Sequence, residues 1–166
     1  MKTLYIIRHA KSDWDDPQAS DYERTLNKRG LRDAPFMGKY LAGQGVKPDV
    51  LLASTASRAF TTAQLIAKEL QYPEDDIVGK RELYLSDEKT LLKNINALPD
   101  SGVTAMVVAH NPGVSNFVNY LTGEFMSHLP TCGIVRIDFK ATTWAEVGRG
   151  TGTLISYDYP KKFEIA

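Results

Sequence analysis

Three short runs of uninterrupted apolar and β-branched residues constrain this chain most: "LYII" (4–7), "VLLA" (50–53) and "VTAMVVA" (103–109). A strand with no polar alternation has both faces covered, and strands of that kind belong to parallel sheets flanked by helices. Segments with helical periodicity separate the runs. "NKRGLRDAPFMGKYLAGQG" (27–45) predicts a helix with Leu31, Phe36, Met37, Tyr40 and Leu41 as its apolar face, ended by Gly43 and Gly45, with Pro35 marking a helix start or a kink. "SRAFTTAQLIAKELQ" (57–71) predicts a second, facing inward through Phe60, Ala63, Leu65, Ile66 and Leu70. A third is expected over 86–98, where Ser86, Asp87 and Glu88 suit an N-terminus without forming a capping box, and a fourth after Pro112.

Beyond Cys132 the pattern changes to two alternating segments, "GIVRIDF" and "TLISYDY", joined by a linker containing "GRGTG", and these read as strands closing one edge of the sheet. The expected fold is therefore α/β: a single domain over 1–166 with a mainly parallel sheet, helices on both faces and a β-rich C-terminal edge. No internal repeat, linker or low-complexity tract divides it. The 20 Lys and Arg balance the 20 Asp and Glu, so no global field draws the protein to nucleic acid or to an anionic membrane. No apolar run is long enough to span a bilayer. One cysteine allows no internal disulfide, and the first residues lack a signal-like pattern, which together give the expectation of a cytoplasmic protein.

In parallel α/β sheets ligands bind beyond the carboxyl ends of the strands. Three strands end there in suggestive residues: the first in Arg8 and His9, the second through small residues to Arg58 at a helix start, and the run 103–109 in His110, followed by "NPG". Cations a few ångströms apart repel one another, so two arginines and two histidines on one sheet edge make sense around a dianion such as phosphate.

"RHAKSDW", "DYERTLNKRG", "STASRAFTTAQLIA", "ELYLSDEKTLL" and "VVAHNPGVSNFV" together resemble the histidine phosphatase superfamily, which has a phosphoglycerate mutase-like fold, and within it the short SixA-like phosphohistidine phosphatases. The resemblance extends from Lys2 to about Pro160, with Ala10 standing where many members carry glycine. It implies that His9 is the nucleophile and that Arg8, Arg58 and His110 bind the phosphoryl group. Glu82 falls where larger members keep a proton-donating carboxylic acid, and an exposed charge beside Arg81 is the competing reading. Asp21 and Arg24 are further candidates to face the pocket. Asn111 stands where the acid phosphatase branch has an aspartic acid donor.

The chemistry can be reasoned from the residues themselves. A neutral imidazole of His9 would attack phosphorus in line, while two planar guanidinium forks held equatorial oxygens. An opposite charge about 4 Å away at an effective dielectric near 20 is worth roughly 4 kcal/mol, or about three pK units. Bound phosphate is thus expected to keep His110 charged while Arg8 and Arg58 hold free His9 neutral.

Competing chemistries fit less well. Cys132 has Asp138, not arginine, six positions on; "SDWDD" (12–16) lies past its strand and runs into Pro17; the three histidines lack metal-type spacing; and "GRGTG" reads as a turn. No metal and no cofactor are expected. The expected activity is hydrolysis of phosphohistidine on a protein through a covalent intermediate on His9. A phosphatase for small phosphate esters, or a phosphoprotein-binding module without turnover, is the alternative, and oligomeric state is left open.

Overall fold

The computed structural model describes residues 1–14 and 16–163. The elements run β1 (Lys2–Arg8), α1 (Lys28–Gly43), β2 (Val50–Ser54), α2 (Ser57–Leu70), β3 (Val78–Lys80), α3 (Glu88–Asn96), β4 (Thr104–Ala109), α4 (Gly113–Thr122), β5 (Ile134–Phe139) and β6 (Gly152–Asp158), with short 3-10 turns between several of them. The six strands form one sheet in the order β3-β2-β4-β1-β5-β6. β1 to β4 are mutually parallel, and β5 and β6 join antiparallel on the β1 side. The architecture is the expected α/β, mainly parallel arrangement with a β-rich C-terminal edge.

The two-residue repeat of a strand explains why the apolar runs are unbroken. Leu4, Ile6, Leu52, Ala105, Val107, Val135 and Ile137 face one core with α3, α4 and Trp144, while Tyr5, Ile7, Leu51, Ala53, Met106 and Val108 face the other with α1 and α2. Leu4–Ile7, Leu51–Ala53 and Ala105–Ala109 are therefore buried whichever way they point.

The helix caps follow the sequence. Asn27 accepts from the Gly30 N–H to open α1, and Asp87, rather than Ser86, accepts from the Thr90 N–H to open α3. α1 begins at Lys28 and continues as one helix through Pro35, which is therefore not its start. Its buried stripe is Gly30, Asp33, Ala34, Met37, Gly38 and Leu41, whereas Leu31 and Phe36 are exposed. Small residues displace the larger ones from the interface because α1 lies close against α2: a Cβ on Gly38 would sit 2.9 Å from Glu69. β3, absent from the sequence reading, is three residues long, too short to show a period.

Two glycines let the backbone close in around one end of the sheet. A Cβ on Gly30 would sit 2.2 Å from the Lys11 carbonyl oxygen, and one on Gly113 would sit 2.0 Å from that of Ser86. Both obstacles are backbone, which cannot swing aside as a side chain does. Gly113→Ala should accordingly lose about 1–3 kcal/mol of stability in urea denaturation, as overpacked sites do; an unchanged midpoint would show that the Ser86 segment yields freely.

Candidate active site

The register of β1 on β4 pairs Arg8 with Ala109, so the next residue of each strand, His9 and His110, emerges side by side at the carboxyl edge. Their ring centroids are 5.2 Å apart. His9 is held by its backbone at both ends, its N–H donating to the Ala109 carbonyl (3.1 Å) and its carbonyl accepting from the Cys132 N–H (3.0 Å). Its Nδ1 donates to the Ala10 carbonyl at 2.7 Å. That bond assigns the ring proton to Nδ1 and leaves the Nε2 lone pair available. Ala10 is fixed in turn, its N–H donating to Thr62 Oγ1 (2.9 Å), whose hydroxyl donates to the Arg58 carbonyl (2.7 Å). His110 shares a hydrogen bond between Nε2 and Ser54 Oγ at 2.8 Å, Ser54 being the last residue of the neighbouring β2.

Arg58 enters from the first turn of α2 and is 2% exposed. A cation there faces the positive end of the helix dipole, an arrangement that an anion in front of it relieves. Its Nη1 donates to the Asp21 backbone carbonyl (2.6 Å) and its Nη2 to Asp21 Oδ2 (3.0 Å). Asp21 also accepts from Arg24 Nε (3.0 Å) and from the Tyr84 hydroxyl. Those donors hold its carboxyl down at about 2, against the opposing pull of desolvation. Asp21 is thus a committed anion that orients Arg58. Arg8 donates from Nη1 to the Leu129 carbonyl and to His128 Nε2, both at 3.1 Å.

Burial dominates the electrostatics of the histidines. It lowers both His9 and His110 to about 3, and the surrounding Arg8 and Arg58 push the same way. In the free pocket both rings are neutral. For His9 this matches the state a nucleophile requires; His110 needs a bound anion to become charged. Among the described residues three buried nitrogens, Arg8 Nε, Arg58 Nε and His110 Nδ1, have no partner within the protein. An unsatisfied buried polar group costs about 1–3 kcal/mol, so three at one strand edge mark a ligand site.

Arg8, His9, Arg58 and His110 come together on one open cavity of about 640 Å³, and Asp21 and Arg24 line it as well. Glu82 does not. It lies exposed in the 3-10 turn Arg81–Leu83, with its carboxylate 3.8 Å from Lys93. The residue that this segment delivers to the site is Tyr84, edge-on to the His110 ring at 5.4 Å and bonded to Asp21. The sequence reading passed over Tyr84 because attention fell on the carboxylate two positions earlier, and over Ser54 and Thr62 because small hydroxyl residues in a strand and a helix carry no signal of their own. Ser12, Asp13 and Trp14 of "SDWDD" line the cavity, whereas residue 15 lies outside the described residues. Cys132 is fully buried, its thiol pushed up by burial, and is no nucleophile. Among the described residues no three His, Cys, Asp or Glu side chains are grouped to hold a metal, and no helix is long and apolar enough to cross a membrane.

Two outcomes follow from this geometry. In the window between about pH 3, where His9 and His110 titrate in the fold, and about 6.5, where they titrate unfolded, the unfolded chain binds more protons, so stability rises with pH. Urea midpoints should climb from pH 4 to pH 7, and the slope should flatten in a His9→Gln/His110→Gln variant; equal slopes would place the two pKa values near normal. Glu82→Gln should leave turnover of alkyl phosphates and of phosphohistidine within twofold of the parent, and a loss confined to the alkyl phosphates would restore Glu82 as an acid.

The comparisons with known proteins agree with this geometry. The family model described as histidine phosphatase superfamily (branch 1) matches residues 4–87. An uncharacterised protein of Mycobacterium tuberculosis is 30% identical over 93% of this chain and 100% of its own length. The structure of the protein histidine phosphatase SixA complexed with tungstate superposes with a TM-score of 0.84 at 25% identity, covering 98% of this chain and 99% of that one. A SixA protein of Agrobacterium tumefaciens superposes at 0.82 with 28% identity, covering 96% and 98%. With the two arginines and two histidines gathered on the strand edge where the motifs placed them, the chain belongs to the histidine phosphatase superfamily and is SixA-like within it.

Proposed function

We propose that the protein is a phosphohistidine phosphatase that needs no metal and works through a phosphoryl group carried transiently on His9. The observation that carries the reading is the state of His9. Its ring is neutral, its Nδ1 proton is committed to the Ala10 carbonyl, and its Nε2 faces a pocket with two arginines. In the first step the Nε2–P bond forms as the P–N bond of the substrate breaks, and the departing imidazole takes the bonding pair. Arg8 and Arg58 hold the equatorial oxygens, where charge accumulates. In the second step water attacks phosphorus, inorganic phosphate leaves, and the electron pair returns to Nε2.

The substrate class is supported by what the pocket offers a leaving group. Among the described residues its carboxylates are Asp13, which accepts from Asn27 at 3.1 Å, and Asp21, held ionised at about 2 by its donors. Asp21 has no proton to give near neutral pH. An alkoxide leaving group depends on general acid help of typically 10²–10⁴-fold. An imidazole with a proton on its other nitrogen departs as a neutral molecule, which suits a site furnished in this way. The SixA neighbour of known structure carries the name of a protein histidine phosphatase, in keeping with this reading.

His9→Ala should abolish turnover and the acid-labile phosphoenzyme seen after rapid quench with labelled substrate, while circular dichroism stays native. Arg58→Ala should weaken vanadate inhibition and kcat/KM at least tenfold, since hydrogen bonds to charged groups are worth about 1.5–3 kcal/mol. Activity should persist in excess chelator. Loss in chelator with recovery on adding a divalent metal, or a phosphoserine peptide turned over faster than a phosphohistidine one, would overturn the proposal.

A further inference from the structure

Arg8 and Lys11 do not close off the phosphoryl pocket; they form its boundary with a second cavity of about 410 Å³ that shares Arg8, Lys11 and Thr131 and continues past them to Arg29, His128 and Lys161. The two cavities differ in charge. The phosphoryl pocket contains Asp13 and Asp21 among its cations, whereas the second, among the described residues, is lined by four Arg and Lys side chains and by no Asp or Glu. Compensation around it is sparse. Arg29 is drawn to the buried Asp33 at 3.4 Å, Arg8 rests on neutral acceptors, and among the described residues Lys11 and Lys161 have no ion-pair partner. In a chain of zero formal net charge, this is a local accumulation of one sign adjoining the reacting centre.

The phosphoryl pocket itself has a different border. Trp14 and Leu85 line it and are 64% and 57% exposed. Trp14 is not loose, because the Arg24 guanidinium stacks on its ring at 4.0 Å. An exposed aromatic anchor beside the reacting centre and a cationic groove adjoining it together describe a contact far wider than a phosphoryl group, with the aromatic and arginine side chains that protein interfaces favour.

We infer that the cationic groove receives carboxylate side chains of the same protein that carries the phosphohistidine, so that the enzyme selects phosphorylated histidines set in acidic surroundings. This rests on the reading of the adjoining pocket as a phosphohistidine site and adds the chemistry of the flanks. The groove provides positive charge on stems that bend, from Lys11, Arg29 and Lys161, as recognition of carboxylates on a folded partner requires.

The test uses two phosphohistidine peptides that differ only in flanking Asp and Glu or their amides Asn and Gln, the same pair bearing phosphoserine, and p-nitrophenyl phosphate as a reference without a second anionic group. The parent protein should favour the acidic phosphohistidine peptide about fivefold to tenfold in kcat/KM, mainly through KM, as expected of one or two partly exposed ion pairs. The preference should fade as salt is raised. It should vanish in Lys161→Glu and shrink in the milder Lys161→Ala, since Lys161 lines the second cavity and not the phosphoryl pocket, with p-nitrophenyl phosphate turnover unchanged. Equal rates on the two phosphohistidine peptides, or a preference that survives Lys161→Glu, would overturn the inference while leaving the phosphohistidine reading intact. Turnover of phosphoserine peptides alone would defeat that reading, and the flank comparison within the phosphoserine pair would still decide the groove. A gain on small bisphosphates over monophosphates without any flank preference would assign the groove to a small anionic substrate and likewise overturn it.

Discussion

Everything at this site depends on the parallel pairing of β1 with β4. Because Arg8 is level with Ala109, the two strands release His9 and His110 at the same height, and β2, parallel on the other side of β4, releases Ser54 and then Arg58 beside them. A slip of one residue would turn His9 toward the opposite face of the sheet. Such a slip is resisted along the whole sheet, since it would exchange Leu4 and Ile6 with Tyr5 and Ile7 between two differently shaped cores. The hydrophobic packing that stabilises the fold is thus also what holds the register of the chemistry.

Burial sets the charge states that this register brings together. Desolvation disfavours the protonated form of both histidines, and the neighbouring guanidinium groups act in the same direction, so the two histidines add no charge to the free site. The arginines in turn are kept in place by few groups. Asp21 holds Arg58 through a backbone and a side-chain oxygen and is itself held by Arg24 and Tyr84, which makes one partly exposed carboxylate the organiser of a buried guanidinium. The orphaned nitrogens on Arg8, Arg58 and His110 show that these supports stop short of satisfying the cluster. In the proposed reading a dianion would complete it, and the folding energy of the two apolar cores maintains the incomplete state.

Much of this was legible in the sequence because strand ends in a parallel sheet are both easy to recognise and functionally placed. Unbroken runs such as 103–109 admit few readings, and a basic residue just after each of three runs predicts convergence once parallel order is assumed. Side-chain packing was less accessible. Leu31 and Phe36 fell on the expected apolar face of α1 and are exposed, because closeness to α2 selects glycine and alanine there and not bulk. Glu82 fell near a plausible position, but the 3-10 turn Arg81–Leu83 directs the chain so that Tyr84, not Glu82, reaches His110. The direction of a short turn is fixed by its tertiary contacts, and no periodicity announces it.

The Ala10 carbonyl has a second consequence for the proposed reaction. As His9 attacks, its ring passes from neutral to cationic, with a proton on Nδ1 and phosphorus on Nε2. A buried cation in this pocket is opposed by desolvation and by Arg8 and Arg58, the influences that lower the free ring to about 3. Two things offset that opposition in the phosphoenzyme: the carbonyl at 2.7 Å, whose hydrogen bond strengthens as the ring becomes charged, and the phosphoryl oxygens, which neutralise the arginines. When water removes the phosphoryl group, both the carbonyl's extra contribution and the compensating anion are lost, and the ring returns to the neutral state that burial favours. The same desolvation that keeps free His9 nucleophilic therefore makes it a good leaving group in the second step, so one environment serves both halves of the cycle without a proton being moved on or off the ring.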